Sequence, residues 1–464
     1  MDRAAGEAKP LAGQSVSGRI ASHAATLTTE AIPESARRAA RLFLLDTLAV
    51  AWAGSSAPGC ADTLTVMQDE AGPGQSSVWG FGTKLPATSA AFVNGMTAAA
   101  LDYDCLGRDA PVHVNISVIP AALAVAELEH RSGAEFLDAV VIASDLLARM
   151  GVSTRPPHRG FHYTSTFGVF GATIAACRLF RLDALTTRHA LGLAYVQACG
   201  TQQTNIEPSL AKRMLSGFAA RAGVLSARLA RQGITAPAEV FEGPFGLYAL
   251  YQAGDPQPML EALGTRFDNH RLSIKKYPSC GCNHTAIEGV LRLVREYRLK
   301  PDDVRSITIT VSPYIDTIVG MAYDPQQDPQ VAAQFSIRYS AACMLVRQKL
   351  GLAEIQPDAA FDPEINRHIP KVQVVVDSTR TGDRGPVDVE IITQEGLRLA
   401  CTVAHVPGSE EAPLAQAEID GKFDECFRLG ARPLDAAAIA RLRMRVDALS
   451  DLSDMAQFFD DLHG

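Results

Sequence analysis

The 464-residue chain has no surplus of basic charge: 43 Lys and Arg stand against 51 Asp and Glu, for a net charge of −8, and the two signs are interspersed. Without a basic stripe there is no general attraction for nucleic acid, so an anionic substrate must meet a local cationic pocket. The opening MDRAAGEAKPLAGQSVSGRI lacks the apolar core of a secretory signal, and the most apolar later stretch, FLDAVVIASDLLARM, is broken by Asp138 and Asp145. Neither a signal peptide nor a membrane span is expected, which places the protein in the cytoplasm. No fixed-period repeat recurs, so a solenoid is disfavoured. A disulfide framework is missing too. The nine cysteines, at 60, 105, 177, 199, 280, 282, 343, 401 and 426, are odd in number and scattered through apolar segments. That is the pattern of reduced thiols, mostly in the core.

What is present suits a globular protein with ample core material, since apolar residues make up 47% of the chain and charged residues 20%. The length exceeds one ordinary core, and two domains are expected. From about residue 17 to 265, apolar residues recur at spacings of three and four, as in ESARRAARLFLLDTLAVAWAG and RMLSGFAARAGVLSARLARQG. These segments read as helices, with Gly54 and Gly233 as C-terminal caps. After residue 270 the texture changes. VRSITITVS and KVQVVVD are β-branched, and VDVEIIT and LRLACTVAHV flank a hairpin turn at Gly396. Helical spacing returns in PLAQAEIDGKFDECFRLG and DAAAIARLRMRVDALSDL. The expected fold is mainly α: a large all-helical domain from residues 1–269 and 404–464, with a smaller α+β domain, 270–403, inserted into it.

Four stretches carry candidate chemistry. In ALDYDCLGRDAPVHVNISVIPAALA, Asp102, Asp104, Cys105 and His113 occupy a Gly/Pro-punctuated loop between two helical segments. A rigidly held loop is a usual place for catalytic groups, and a histidine titrating near neutrality, oriented by Asp102 or Asp104, suits acid/base work. A surface loop with a capping Asp and an incidental His fits the same letters. In RPPHRGFHYTSTFGVFGATIAA, Arg159, Gly160, His162 and Thr164 precede a glycine-rich helix entry that would attract anions, or whose Gly168 and Gly171 serve close helix packing. In EPSLAKRMLSGFAARAG, Lys212 and Arg213 head an amphipathic helix, where one cation turns into a pocket or both are solvated. In LSIKKYPSCGCNHTAIEGVL, Lys275 and Lys276 precede Cys280, Cys282 and His284 at a helix start. Cys-x-Cys-x-His invites a metal reading, but no second ligand pair stands nearby, and a helix entry beside two cations is the better reading. Cys280 is then either a thiol at the site or packing.

Taken in order, LLDTLAVAWAG, AAFVNGMTAAALDYD, HVNISVIPAALA, RGFHYTSTFG, KRMLSGFAARAGVLSARLARQGITAP, EGPFG, IKKYPSCGCNH, AQFSIRYSAACML and DGKF give the chain a resemblance to the MmgE/PrpD family. That family includes 2-methylcitrate dehydratase, cis-aconitate decarboxylase and iminodisuccinate epimerase. The resemblance implies a helical domain with an α+β lid, a homodimer, no metal or organic cofactor, and a site between the domains. It implies a small carboxylate as substrate, with His113 as acid/base, Asp102 as the loop aspartate, and Lys212 and Lys275 facing the substrate. Lys276 is the fallback for Lys275, and His162, Cys280 and Tyr314 are further substrate contacts, Tyr314 reaching in from the first lid strand. The usual stretch after the histidine reads His-Pro-Ser, whereas here Val114 and Asn115 follow His113, and Cys105 stands where Asp is common. The implied activity is a lyase (dehydratase or decarboxylase) or an epimerase-type isomerase. A dimeric paralogue without catalysis is the rival from another class.

Overall fold

The structure, a computed structural model, describes residues 15–70, 72–108, 111–156, 158–460 and 462, so most of the opening segment read for a secretory signal lies outside the described residues. The fold is mainly α. Its centre is a helix with no polar face. α3 (Asn115–Leu128) is buried along almost its whole length, as a helix surrounded by others must be. Around it stand α1 (Glu34–Gly54), α2 (Ala87–Ala99), α4 (Gly133–Val152), α5 (Gly168–Leu179) and α6 (Ala211–Arg231). α6 crosses α2 at two glycines: a Cβ on Gly217 would stand 2.4 Å from the Phe92 carbonyl oxygen, and one on Gly95 2.9 Å from the Gly217 Cα. Gly168 and Gly171 serve packing in the same way, their hypothetical Cβ atoms lying 2.7 Å from Ser117 Oγ and 2.9 Å from Val118.

The two expected glycine caps part ways. Gly233 has φ +86° just beyond α6, the left-handed geometry of a cap. Gly54 is the last residue of α1 itself, and its lack of a side chain admits the Thr97 carbonyl oxygen, 2.1 Å from where a Cβ would be. The acids in FLDAVVIASDLLARM are also accounted for. Asp138 pairs with Arg37 at 3.0 Å, and Asp145 pairs with the equally buried Arg149 at 2.8 Å, so α4 carries compensated charge inside the fold. No helix among the described residues is long and apolar enough to cross a membrane.

Past residue 270 the chain builds its main sheet. β3 (Val304–Val311) lies between parallel β4 (Val372–Val376) and antiparallel β5 (Val387–Thr393), and β6 (Arg398–Val403) closes the order β4-β3-β5-β6. β1 (Ser76–Val78) and β2 (Thr83–Leu85) form a small separate hairpin. Along β5 every second residue is buried, as period-2 side chains require. That face packs on α7 (His284–Glu296), which in turn packs on α9 (Ile337–Arg347), while α8 (Pro313–Val319) follows β3. The β5–β6 turn falls at Gly396, φ +86°. α10 (Gln416–Phe427) then returns to the helical body and packs on α1: Trp52 meets Phe427 with ring centroids 6.1 Å apart, and buried Lys422 binds Asp46 at 2.6 Å. The buried apolar side chains of the sheet and its helices are continuous with those of the helical body. The sheet thereby presents its α7 and α8 ends to the loop between α2 and α3.

Candidate active site

The loop joining α2 to α3 is tied down by its own backbone. Leu106 and Ser273 exchange two hydrogen bonds, at 2.9 and 2.8 Å, and Gly107 N–H donates to the Val112 carbonyl at 2.8 Å. From behind, Lys422 donates to the Tyr103 carbonyl at 2.9 Å and Lys275 to the Asp102 carbonyl at 2.7 Å. Asp102 has φ +49°, a left-handed conformation that Asp tolerates better than most residues. This turn aims its carboxylate at two ammonium groups. One oxygen meets Lys275 Nζ at 2.8 Å, and the other accepts a hydrogen bond from Lys212, at the first turn of α6.

Burial alone would keep Asp102 protonated, but the charges of Lys212, Lys275 and His113 outweigh it and hold the carboxyl far below the usual range. Lys275, fully buried, is likewise opposed by desolvation, yet Asp102 and Asp104 push its pKa above the ordinary value. Two residues on, buried Asp104 accepts from His113 Nδ1 at 2.6 Å, and His113 N–H donates to Thr164 Oγ1 at 3.0 Å. Asp104, also opposed by burial, is pulled below its ordinary value by His113 and Lys275. Holding Nδ1 fixes the ring and leaves Nε2 for chemistry.

A cleft opens beside these groups. Asp102, Asp104, His113 and Lys212 line it, as do His162, Cys280 and Tyr314. Burial, Lys212 and His113 depress His162 to about 3, so it is neutral at physiological pH, with Nδ1 buried and unbonded. Tyr314 comes from the first turn of α8, just after β3 rather than on it. Cys280 is drawn below the usual thiol value, first by a hydrogen bond with Cys282, which is pushed well up. His284 turns elsewhere, its Nε2 on the Ser279 carbonyl at 3.2 Å.

Two further placements differ from the sequence expectation. Lys275 is not on the cleft wall. It lies behind Asp102, between the cleft and a second cavity on the other side of the loop. Lys276 points away from the cleft, onto that second cavity, and pairs with Glu288 at 3.2 Å and Glu418 at 3.4 Å. It therefore makes no contact with the cleft. Several lining residues went unnoticed in the sequence: Gln202 and Asn205, and Asp383 and Arg384. The first two precede Lys212 closely enough to have been flagged; the others sit in a polar loop with no distinguishing pattern.

The loop's departures from the family pattern are removed from the cleft. Cys105 is fully buried, its thiol pushed by burial to about 12, and it accepts from Asn115 Nδ2 at 3.4 Å, while Ser144 donates to Asn115 Oδ1 at 2.8 Å. Cys105 and Asn115 thus satisfy each other inside the core. The model of the MmgE/PrpD N-terminal domain matches residues 18–259, and that of the MmgE/PrpD C-terminal domain matches residues 277–446. The cis-aconitate decarboxylase-like protein oryM of Aspergillus oryzae is 27% identical over 460 residues, covering 93% of this chain and 94% of that protein. A cis-aconitate decarboxylase of Aspergillus terreus is 27% identical over 373 residues (76% and 75%), and the human cis-aconitate decarboxylase 24% over 364 residues (75% and 74%). With both domain models matched in order along most of its length, the chain belongs to the MmgE/PrpD family.

Proposed function

We propose that this protein is a cofactor-independent lyase acting on a di- or tricarboxylate, with decarboxylation of a cis-aconitate-like substrate as its reaction. The observation that carries the reading is the convergence, at one cleft, of the Lys212–Asp102–Lys275 charge cluster with the Asp104–His113 pair. The names of the relatives favour decarboxylation over loss of water or epimerisation. A paralogue without catalysis has less support, since the altered positions Cys105 and Asn115 bond each other in the core.

The chemistry follows from the groups present. Lys212 has three N–H donors and gives one to Asp102, so it can hold a substrate carboxylate with the others. When a β,γ-unsaturated carboxylate loses CO2, the C–C bond's electron pair passes into the adjacent double bond and its conjugated carboxylate. Lys212 stabilises that developing charge, with Lys275 behind it keeping Asp102 ionised and in place. His113, held at Nδ1 by Asp104, delivers one proton from Nε2 to carbon, and solvent restores it. One C–C bond breaks, one C–H bond forms, and CO2 departs.

In this reading the α+β unit, about 270–403, acts as a lid on the helical domain of 1–269 and 404–464. The protein works as a cytoplasmic homodimer without metal. The reading is tested by incubating purified protein with cis-aconitate, 2-methylcitrate and iminodisuccinate and following each by proton NMR. Turnover of cis-aconitate with release of CO2 is expected. Turnover of neither tricarboxylate would sink the reading, and turnover of iminodisuccinate alone would replace it with an epimerase.

A further inference from the structure

The neck of the loop that carries Asp102, Asp104 and His113 is gripped from the sheet side by the Arg384 side chain. Arg384 belongs to the loop that leads into β5, and its own carbonyl accepts from Thr285 Oγ1 in the first turn of α7 at 2.9 Å. Its guanidinium is buried at the edge of the cleft. Nη1 donates to the Gly107 carbonyl, Nη2 donates to the Arg108 carbonyl at 2.8 Å, and Nε meets Asp383 at 3.1 Å. Two successive backbone carbonyls are thus held by the two prongs of one planar fork, whose orientation Asp383 fixes. Gly281 lies against the same side chain: a Cβ there would stand 2.7 Å from Leu106 and 3.3 Å from Arg384 Cδ. The 281–283 turn therefore leaves just enough room for the arginine to reach the loop.

We infer that Arg384 is a positioning residue that sets the Asp102–His113 loop from the α+β side. The spans it joins are far apart in sequence. Leu106 and Gly107 are paired to Ser273 and Val112, and Arg108 holds Glu410 and Glu411. Arg384 closes the remaining side. Without it the Gly107 and Arg108 carbonyls turn to water, and the neck of the loop, five residues from His113, loses its registration against the cleft. A guanidinium suits the site because its two Nη groups diverge in one fixed plane, each facing one carbonyl, whereas lysine carries all its donors on one nitrogen at the end of a flexible stem and does not reproduce that spread or its orientation. A residue that gripped the substrate carboxylate directly would behave oppositely, tolerating lysine for its charge.

The kinetic arm rests on the lyase reading above; the exchange arm does not. Arg384→Lys and Arg384→Gln are made in the full chain, with melting temperature measured as a control. Amide hydrogen exchange is then read at Leu106, Gly107 and His113, whose N–H groups bond Ser273, Val112 and Thr164 and never touch Arg384. Both variants are expected to lose protection at these amides while α3 and α6 retain it. On the substrate turned over by the unmodified protein, kcat should fall about 10- to 100-fold, the cost of a misplaced catalytic group, with KM changed by less than about threefold. Unchanged exchange in Arg384→Lys would overturn the inference even if no substrate is ever found. So would a large rise in KM at constant kcat that lysine reverses, because Arg384 would then bind substrate.

Discussion

Replacing Asp102 by Asn separates the charge of this residue from its shape. Asn also accepts the left-handed backbone at φ +49°, so the loop can keep its path. What is lost is the counter-charge for Lys275, which is fully buried and bonds the Asp102 carboxylate at 2.8 Å. Removing one partner of a buried pair costs about 3–5 kcal/mol. The lower figure, about 3 kcal/mol, applies here, because the residue-102 carbonyl and a neutral side-chain oxygen still accept from Nζ. The deficit should depend on pH. Burial drives the Lys275 pKa down, and Asp102 is the first of the charges that lift it above its ordinary value. In the variant only the smaller contributions of Asp104 and Cys280 still oppose burial, so the folded value is expected to drop below the unfolded one, with the unfolded state binding more protons between them. Stability of Asp102→Asn relative to the unmodified protein should therefore recover as pH rises towards about 10. Adding Lys275→Met should restore much of the loss at pH 7 by removing the stranded charge. The assay is urea unfolding at pH 7 and pH 9.5 for the single and double variants. A deficit below about 1 kcal/mol, or one indifferent to both pH and Lys275→Met, would refute the cluster as the electrostatic support of the loop.

Three further outcomes follow from the same geometry. His113→Ala should lower kcat by about 100-fold or more with little change in KM, and Lys212→Ala should raise KM as well, because the lysine grips substrate in the ground state; steady-state kinetics on the preferred carboxylate separates them. Lys276→Ala should leave kcat and KM near the unmodified values, since its ammonium pairs with Glu288 and Glu418 away from the cleft, and a tenfold kinetic change would contradict that placement. Glu127 is buried on α3, and burial raises its pKa to about 7 despite hydrogen bonds from Ser77. Its folded value lies above the unfolded one, so its ionisation cost is absent near pH 4.5 and complete above pH 7. Glu127→Gln should accordingly gain up to roughly 3 kcal/mol relative to the unmodified protein between pH 5 and pH 8, measured by unfolding at each pH; a gain that fails to grow with pH would contradict it.

Much of the helical body could be read from spacing alone, because an amphipathic or wholly apolar helix declares its buried face locally. β3 to β6 were legible for the same reason, their β-branched alternation being a local property. The site was legible only in part. His113, Asp102 and Lys212 stood out as polar residues at the ends of apolar helices. That Lys275 backs Asp102 while Lys276 turns away depends on the direction of one turn, which spacing does not encode. Gly54 was misread because a glycine at a helix end serves a cap or a close neighbour, and only the position of Thr97 on α2 decides between them. Arg384 was invisible, since TGDRGPVD reads as any polar turn until the chain closes and brings it to Gly107.

The most direct test of the central claim, that the Asp104–His113 pair and the Lys212–Asp102–Lys275 cluster decarboxylate a tricarboxylate, is turnover of cis-aconitate in deuterated water. The product is read by proton NMR and mass, for the unmodified protein and for His113→Ala. The account predicts a C5 dicarboxylate bearing a single deuterium on carbon, formed with one CO2 per substrate and nearly abolished in His113→Ala. Conversion without loss of CO2, or a His113→Ala variant that makes the same monodeuterated product at the same rate, would contradict it.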